Sequence, residues 1–154
     1  MNKSLDWTSV FLMGLLVTDV VWQVISRYIL KTPSAWTEET AGFLMIWVGM
    51  LGAAAALRKK AHLGIDFFVE KFPRKTREAI RVIVNFLILF FSLGILTIGG
   101  FQFVRNTFAT GQVSPALGIE MGYIYLAVPI SGIFMSIYCL QQTYEHYSEL
   151  FGDQ

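Results

Sequence analysis

Four long apolar stretches separated by short polar ones dominate the chain, at about residues 7–30, 41–57, 82–104 and 123–140. A helix needs about 20 mostly apolar residues to cross a bilayer, so the pattern predicts an all-α membrane protein with four transmembrane helices. The second stretch runs from Ala41 to Leu57 without a charge, and the third has only Asn85, Ser92, Thr97 and Gln102 as polar side chains. The first is less clean, because it contains Asp19, Gln23 and Arg27. Between Val10 and Leu30 it holds twelve Val, Ile, Leu and Phe residues, each favouring insertion by roughly 0.3–0.6 kcal/mol, against about 2.5–3.5 kcal/mol for a central Asp. The apolar side wins, and Arg27 lies near enough to the end for its stem to reach the headgroups. The fourth stretch carries Pro129, which removes a backbone donor and predicts a kink.

The connections are legible as well. Pro33 ends the first helix, and Thr37 is placed to cap the second, with Glu38 and Glu39 in its first turn at the positive end of the helix dipole and Trp36 at the membrane interface. The polar connection from Arg58 to Arg81 contains Ile65, Phe68, Val69 and Phe72 at i, i+3, i+4 and i+7. That spacing predicts a short amphipathic helix lying on the cytoplasmic membrane surface between spans 2 and 3 and ended by Pro73. Gly111, Pro115 and Gly118 mark residues 105–122 as a loop, and residues 141–154 form a polar tail. Lys3 is followed by Asp6 and a long apolar run, unlike a cleavable signal peptide, so the first stretch is expected to be a retained span. No internal repeat is visible, and residues 1–154 are expected to form one membrane domain, a single bundle.

Composition agrees: 55% of the residues are hydrophobic and 15% charged, outside the range of a soluble domain. Charge placement adds orientation. Lys3, Arg58, Lys59, Lys60, Lys71, Arg74, Lys75, Arg77 and Arg81 fall on one side, and Arg27, Lys31 and Arg105 on the other. Basic residues collect in the cytoplasm, which puts both termini and the long second connection there and the first and third loops outside. The net charge of +1 gives no ground for nucleic-acid binding. Cys139 is the one cysteine; it lies in the last span and is expected to pack there without a disulfide.

Candidate chemistry is sparse. Asp19, Gln23 and Arg27 recur at i, i+4 and i+8, a polar stripe on the first helix that should face protein. Asp19 and Arg27 are about 12 Å apart along the axis, too far for an ion pair, though Gln23 lies between them. The stripe reads as a hydrogen-bonded seam, with a proton or ion carrier at Asp19 as the sharper alternative. On the second helix Gly42, Gly49, Gly52, Ala53 and Ala56 fall along one side, where small residues let another helix approach closely and mark a subunit interface. Arg58, Lys59 and Lys60 form a basic cluster suited to anionic lipid headgroups. His62 and His146 lie outside the spans, against a haem-binding redox anchor. No nucleophile triad, metal-ligand spacing or phosphate loop appears, so no enzyme, cofactor or metal is expected.

Arg27-Tyr28 ending the first span, Trp36-Thr37-Glu38-Glu39 opening the second, Trp47 and Gly52-Ala53 within it, and Arg58, His62 and Asp66 after it resemble the DctQ-type small membrane subunit of tripartite ATP-independent periplasmic (TRAP) transporters. Ser114-Pro115-Ala116-Leu117 and Tyr125-Leu126-Ala127-Val128-Pro129 resemble the last loop and final span of the same family. The resemblance implies a subunit of the bacterial inner membrane that supports a large membrane subunit. The large subunit would import an organic acid such as a C4-dicarboxylate, sialic acid or another sugar acid with sodium, and a periplasmic binding protein would deliver it transiently. Trp36, Glu38 and Glu39 are then candidates for periplasmic docking, and phospholipids for contact with the basic cluster. Asp19 has no place in the family pattern. A stand-alone four-helix multidrug-type exporter and a redox-complex anchor remain the alternatives. An exporter would lack the long second connection, and an anchor would want histidines inside the bundle.

Overall fold

The computed structural model describes residues 3–32, 34–58 and 73–151. These residues form six α-helices: α1 (Lys3–Tyr28), α2 (Ala35–Arg58), α3 (Arg74–Phe90), α4 (Gly100–Ala109), α5 (Met121–Tyr125) and α6 (Ala127–Phe151). A π-helical stretch, Phe91–Gly99, joins α3 to α4 in one continuous rod. Four helices are long and apolar enough to cross a membrane, over Leu5–Tyr28, Ala35–Arg58, Ile80–Ala109 and Met121–Thr143. The expected surface helix around Ile65–Phe72 lies outside the described residues.

Several boundaries move. The second helix begins at Ala35, so Thr37 sits inside its first turn and is not the cap. Its buried hydroxyl bonds the Ser34 carbonyl at 2.8 Å and the Ser34 hydroxyl at 2.6 Å. The third rod starts two turns before the apolar run and continues through Arg105 to Ala109, because long basic side chains tolerate a helix emerging from the bilayer. In the fourth span the interruption falls at Leu126, between α5 and α6. Pro129 has no N–H to offer the carbonyl of Tyr125, four residues back, and its ring crowds that carbonyl. The break therefore precedes the proline by a turn.

The helices form a row rather than a closed bundle. α1 packs on α2, α2 on α6, and α6 on the rod made by α3, the π stretch and α4; α1 makes no extended contact with that rod. Large apolar side chains along α1 accordingly stay exposed, Trp7, Phe11, Val21 and Tyr28 among them. Leu5, Leu51, Ala54, Ala55 and Tyr138 form the core where α1, α2 and α6 meet, with Leu12, Trp47 and Phe134 against it.

In lipid, helices gain little by burying apolar surface, so close approach and hydrogen bonds must hold them. The α6–rod seam shows both. A Cβ on Gly132 would lie 2.7 Å from Thr97 Oγ1 and 2.8 Å from Leu96 Cβ, and one on Gly100 would meet Pro129 Cδ at 3.1 Å. The buried hydroxyls of Ser92 and Ser136 share a hydrogen bond of 2.9 Å, and Asn85 Nδ2 donates to Thr143 Oγ1 at 2.9 Å. Cys139 is fully buried in this seam. Within the π stretch Thr97 Oγ1 donates to the Ser92 carbonyl at 2.8 Å, five residues back, matching the wider turn.

Candidate functional site

The side chains singled out in the sequence fall into four places: the outer end of the α1–α2 pair, the middle of α1, the outward side of α2, and the inner end of α2. "Outer" here follows the orientation that the basic residues indicate.

At the outer end, α1 terminates at Tyr28 and the chain reverses through Lys31, which takes a left-handed φ of 54°. The Thr32 N–H reaches the Ser26 carbonyl at 3.1 Å, a closure that satisfies the last turn of the helix. The turn brings Arg27 to Glu38, N–O 3.5 Å, with both side chains more than half exposed. Such a pair contributes about 0–1 kcal/mol. Glu39 is engaged differently. Its carboxylate accepts hydrogen bonds from the Ser114 hydroxyl and from the backbone N–H groups of Ala116 at 3.0 Å and Leu117 at 3.2 Å. It thereby clasps the loop between α4 and α5, which is itself closed by a bridge between Val113 and Glu120 and by left-handed Gly111 and Gly118. Two successive spans separate this loop from the start of α2, so both must lie on the same membrane face. Glu39, a docking candidate from the sequence, holds this loop within the chain. The available signal was the Ser114-Pro115 turn facing an acidic first turn on the same side. Trp36 stays half-exposed beside them.

In the middle of α1, Asp19 and Gln23 lie with Leu5, Leu12, Leu16 and Ser26 on the less exposed stripe that meets α2. Among the described residues no hydrogen bond links Asp19, Gln23 and Arg27 to one another, and Asp19 Oδ2 is buried without a partner. A crevice of about 230 Å³ opens above them, lined by Gln23, Arg27, Ser34, Ala35 and Glu38.

On α2 the small residues divide by face. Ala54 and Ala55 are buried against the core, whereas Gly42, Gly49, Ala53 and Ala56 are exposed and Gly52 is half-buried. A Cβ added at Gly42, Gly49 or Gly52 would meet nothing within 4 Å. Among the described residues no helix uses that stripe, in contrast to Gly100, Gly122 and Gly132, whose missing side chains are occupied by neighbours.

At the inner end Arg58 pairs with Asp6 of α1, and Gln142 Nε2 of α6 donates to the Leu57 carbonyl at 2.8 Å, satisfying an orphan acceptor at the helix terminus. One basic residue proposed for lipid is therefore engaged with an acid; Lys59 and Lys60 lie outside the described residues. No cluster of three His, Cys, Asp or Glu side chains suited to a metal occurs among the described residues.

Four membrane-length helices in a row define a multi-pass helical membrane protein. The match to known proteins is specific. A family model described as tripartite ATP-independent periplasmic transporters, DctQ component, covers residues 16–149, and the chain belongs to that family. It is 30% identical over 151 residues to the sialic acid TRAP transporter small permease protein SiaQ of Vibrio cholerae, spanning 98% of this chain and 86% of that one. It is also 30% identical to part of the sialic acid TRAP transporter permease protein SiaT of Haemophilus influenzae, where 91% of this chain corresponds to 22% of the longer one. The C4-dicarboxylate small permease protein DctQ of Rhodobacter capsulatus is 29% identical over 111 residues, 69% of this chain and 46% of that one.

Proposed function

We propose that this chain is the small membrane subunit of a sodium-coupled TRAP transporter, and that it scaffolds a large membrane subunit which imports an organic acid delivered by a periplasmic binding protein. The observation that carries the reading is the stripe of Gly42, Gly49, Ala53 and Ala56 on α2, exposed along its length and with open space where side chains would stand. Helices use such stripes to bring backbones together in lipid, and no helix among the described residues fills it. The similarity to a fifth of SiaT fits a partner that in some relatives is part of the same polypeptide. The partner is the large subunit, and the pair forms a heterodimer in the bacterial inner membrane, with both termini in the cytoplasm.

The organic-acid reading is supported by relatives whose names include sialic acid and C4-dicarboxylate; another sugar acid belongs to the same reading. Trp36 and Glu38 at the outer end offer the binding protein an aromatic and an acidic contact, with Glu39 acting behind them by fixing the adjacent loop. The basic cluster of Arg58, Lys59 and Lys60 is suited to anionic phospholipid headgroups, with Arg58 also paired to Asp6.

Gly49→Leu tests the interface. Forcing a bulky side chain between close-packed helices costs about 1–3 kcal/mol, roughly 5- to 150-fold in association. Co-purification of the large subunit should fall by that order while the small subunit still folds. Undiminished co-purification would remove the stripe from the interface.

A further inference from the structure

Asp19 Oδ2 is a buried carboxylate oxygen with no hydrogen-bond partner, near the middle of a helix whose other acid, Asp6, and whose one base within the span, Arg27, are both occupied. One turn outward, about 6 Å along the axis, Gln23 forms part of the wall of the crevice between α1 and the start of α2. Arg27, Ser34 and Glu38 complete its polar lining. One water needs roughly 10–15 Å³ of such space, so the crevice, at about 230 Å³, is roomy enough to be hydrated. The crevice therefore leads from the outer surface to within one turn of an unsatisfied acid.

We propose that the α1–α2 seam is a hydrated half-channel from the periplasm and that Asp19 at its foot is a proton-binding site loaded from outside. A hydronium ion in the crevice gives its proton to a carboxylate oxygen of Asp19 and leaves as water; the acid becomes neutral and the cost of a charge in the seam is removed. The occupant is a proton rather than a metal cation, because one carboxylate and one amide are too few oxygens to replace the hydration shell of a sodium ion. The charged groups that can act on Asp19 are few. On α1 they are Lys3, Asp6 and Arg27, in the following turn Lys31, on α2 Glu38, Glu39 and Arg58, and α2 has no titratable side chain between Glu39 and Arg58. Arg27 and Glu38 neutralise each other at the mouth, Asp6 and Arg58 do so at the opposite end, and Glu39 is committed to the loop. Outside pH thus sets whether this seam holds a charge.

The site is tested in membranes carrying the whole transporter. Dicyclohexylcarbodiimide, which enters lipid and reacts with protonated carboxyl groups, should leave an adduct on Asp19 that peptide mass spectrometry detects, that fades as the outside pH is raised, and that is lost in Asp19→Asn. A membrane-impermeant thiol reagent added outside should label Gln23→Cys but not Leu16→Cys, two turns deeper on the same stripe. Gln112→Cys, in the outer loop, controls for orientation: if it is silent, the orientation proposed above fails. If it labels and Gln23→Cys does not, the half-channel fails. An adduct absent from Asp19, or present and indifferent to outside pH, overturns the proton site. Co-purification of the large subunit is read in the same samples, so loss of the proton site and loss of the scaffold are told apart.

Discussion

Gly132→Ala inserts one methyl group where α6 crosses the π stretch closely. The new Cβ would lie 2.7 Å from Thr97 Oγ1, 2.8 Å from Leu96 Cβ and 2.9 Å from the Thr97 backbone nitrogen. Carbon contacts are comfortable at about 3.5 Å, so α6 must retreat by roughly 0.7 Å, since neither a Cβ nor a backbone nitrogen can swing aside. A retreat of that size carries the Ser92–Ser136 bond from 2.9 Å to about 3.6 Å, beyond useful hydrogen bonding. Overpacking costs about 1–3 kcal/mol and the lost interhelical bond about 0.6, while replacing glycine within a helix returns about 0.5–1. The net is a loss of about 1–3 kcal/mol, which for a chain of this size lowers Tm by roughly 2–12 °C. Gly49→Ala is the internal contrast. Its Cβ meets open space, so only the helix-propensity gain remains and the purified chain should be as stable as the parent or slightly more so. Thermal unfolding of the two variants in detergent, followed by tryptophan fluorescence, decides the matter. Equal stability of Gly132→Ala and parent, or equal losses in both variants, would refute the assignment of internal and external glycines.

Glu39→Ala removes the acceptor that holds Ser114, Ala116 and Leu117, so amide hydrogen exchange should rise at residues 114–118 and stay unchanged in α6; unchanged exchange in the loop would show the clasp to be idle. Asp19→Asn keeps a hydrogen-bonding side chain without a charge and copies the protonated acid, so the complex should assemble and retain most of its uptake while losing the carbodiimide adduct. Intact assembly with abolished uptake would instead make Asp19 part of the coupling step. For orientation, thiol labelling from outside should reach position 112 and not position 75, and the reverse pattern would invert the topology.

The four spans were legible because membrane insertion is decided locally, by runs such as Ala41–Leu57 in which no charge interrupts the apolar sequence. Their arrangement was not. The row of helices depends on which small residues face inward, and the sequence shows the stripe of Gly42, Gly49, Ala53 and Ala56 as clearly as the single glycines at 100 and 132. Yet the isolated glycines are the ones that meet neighbours within this chain. The π stretch has no signature beyond Ser92 and Thr97 at a spacing of five. The polar seam on α1 was read from spacing alone, and spacing places side chains on one face without deciding whether they bond. Arg27 found Glu38 across the turn, and Asp19 was left without a partner. The role of Glu39 required knowing that a loop 75 residues further along folds back over it.

The central claim is that this chain supports transport without performing it. Proteoliposomes containing the chain alone, the chain with its large subunit, or both with the binding protein, each under an imposed sodium gradient, put that claim to a direct test with labelled organic acid. The account predicts no uptake from the chain alone and sodium-dependent uptake when the large subunit and the binding protein are both present; sodium-dependent uptake by the chain alone would contradict it.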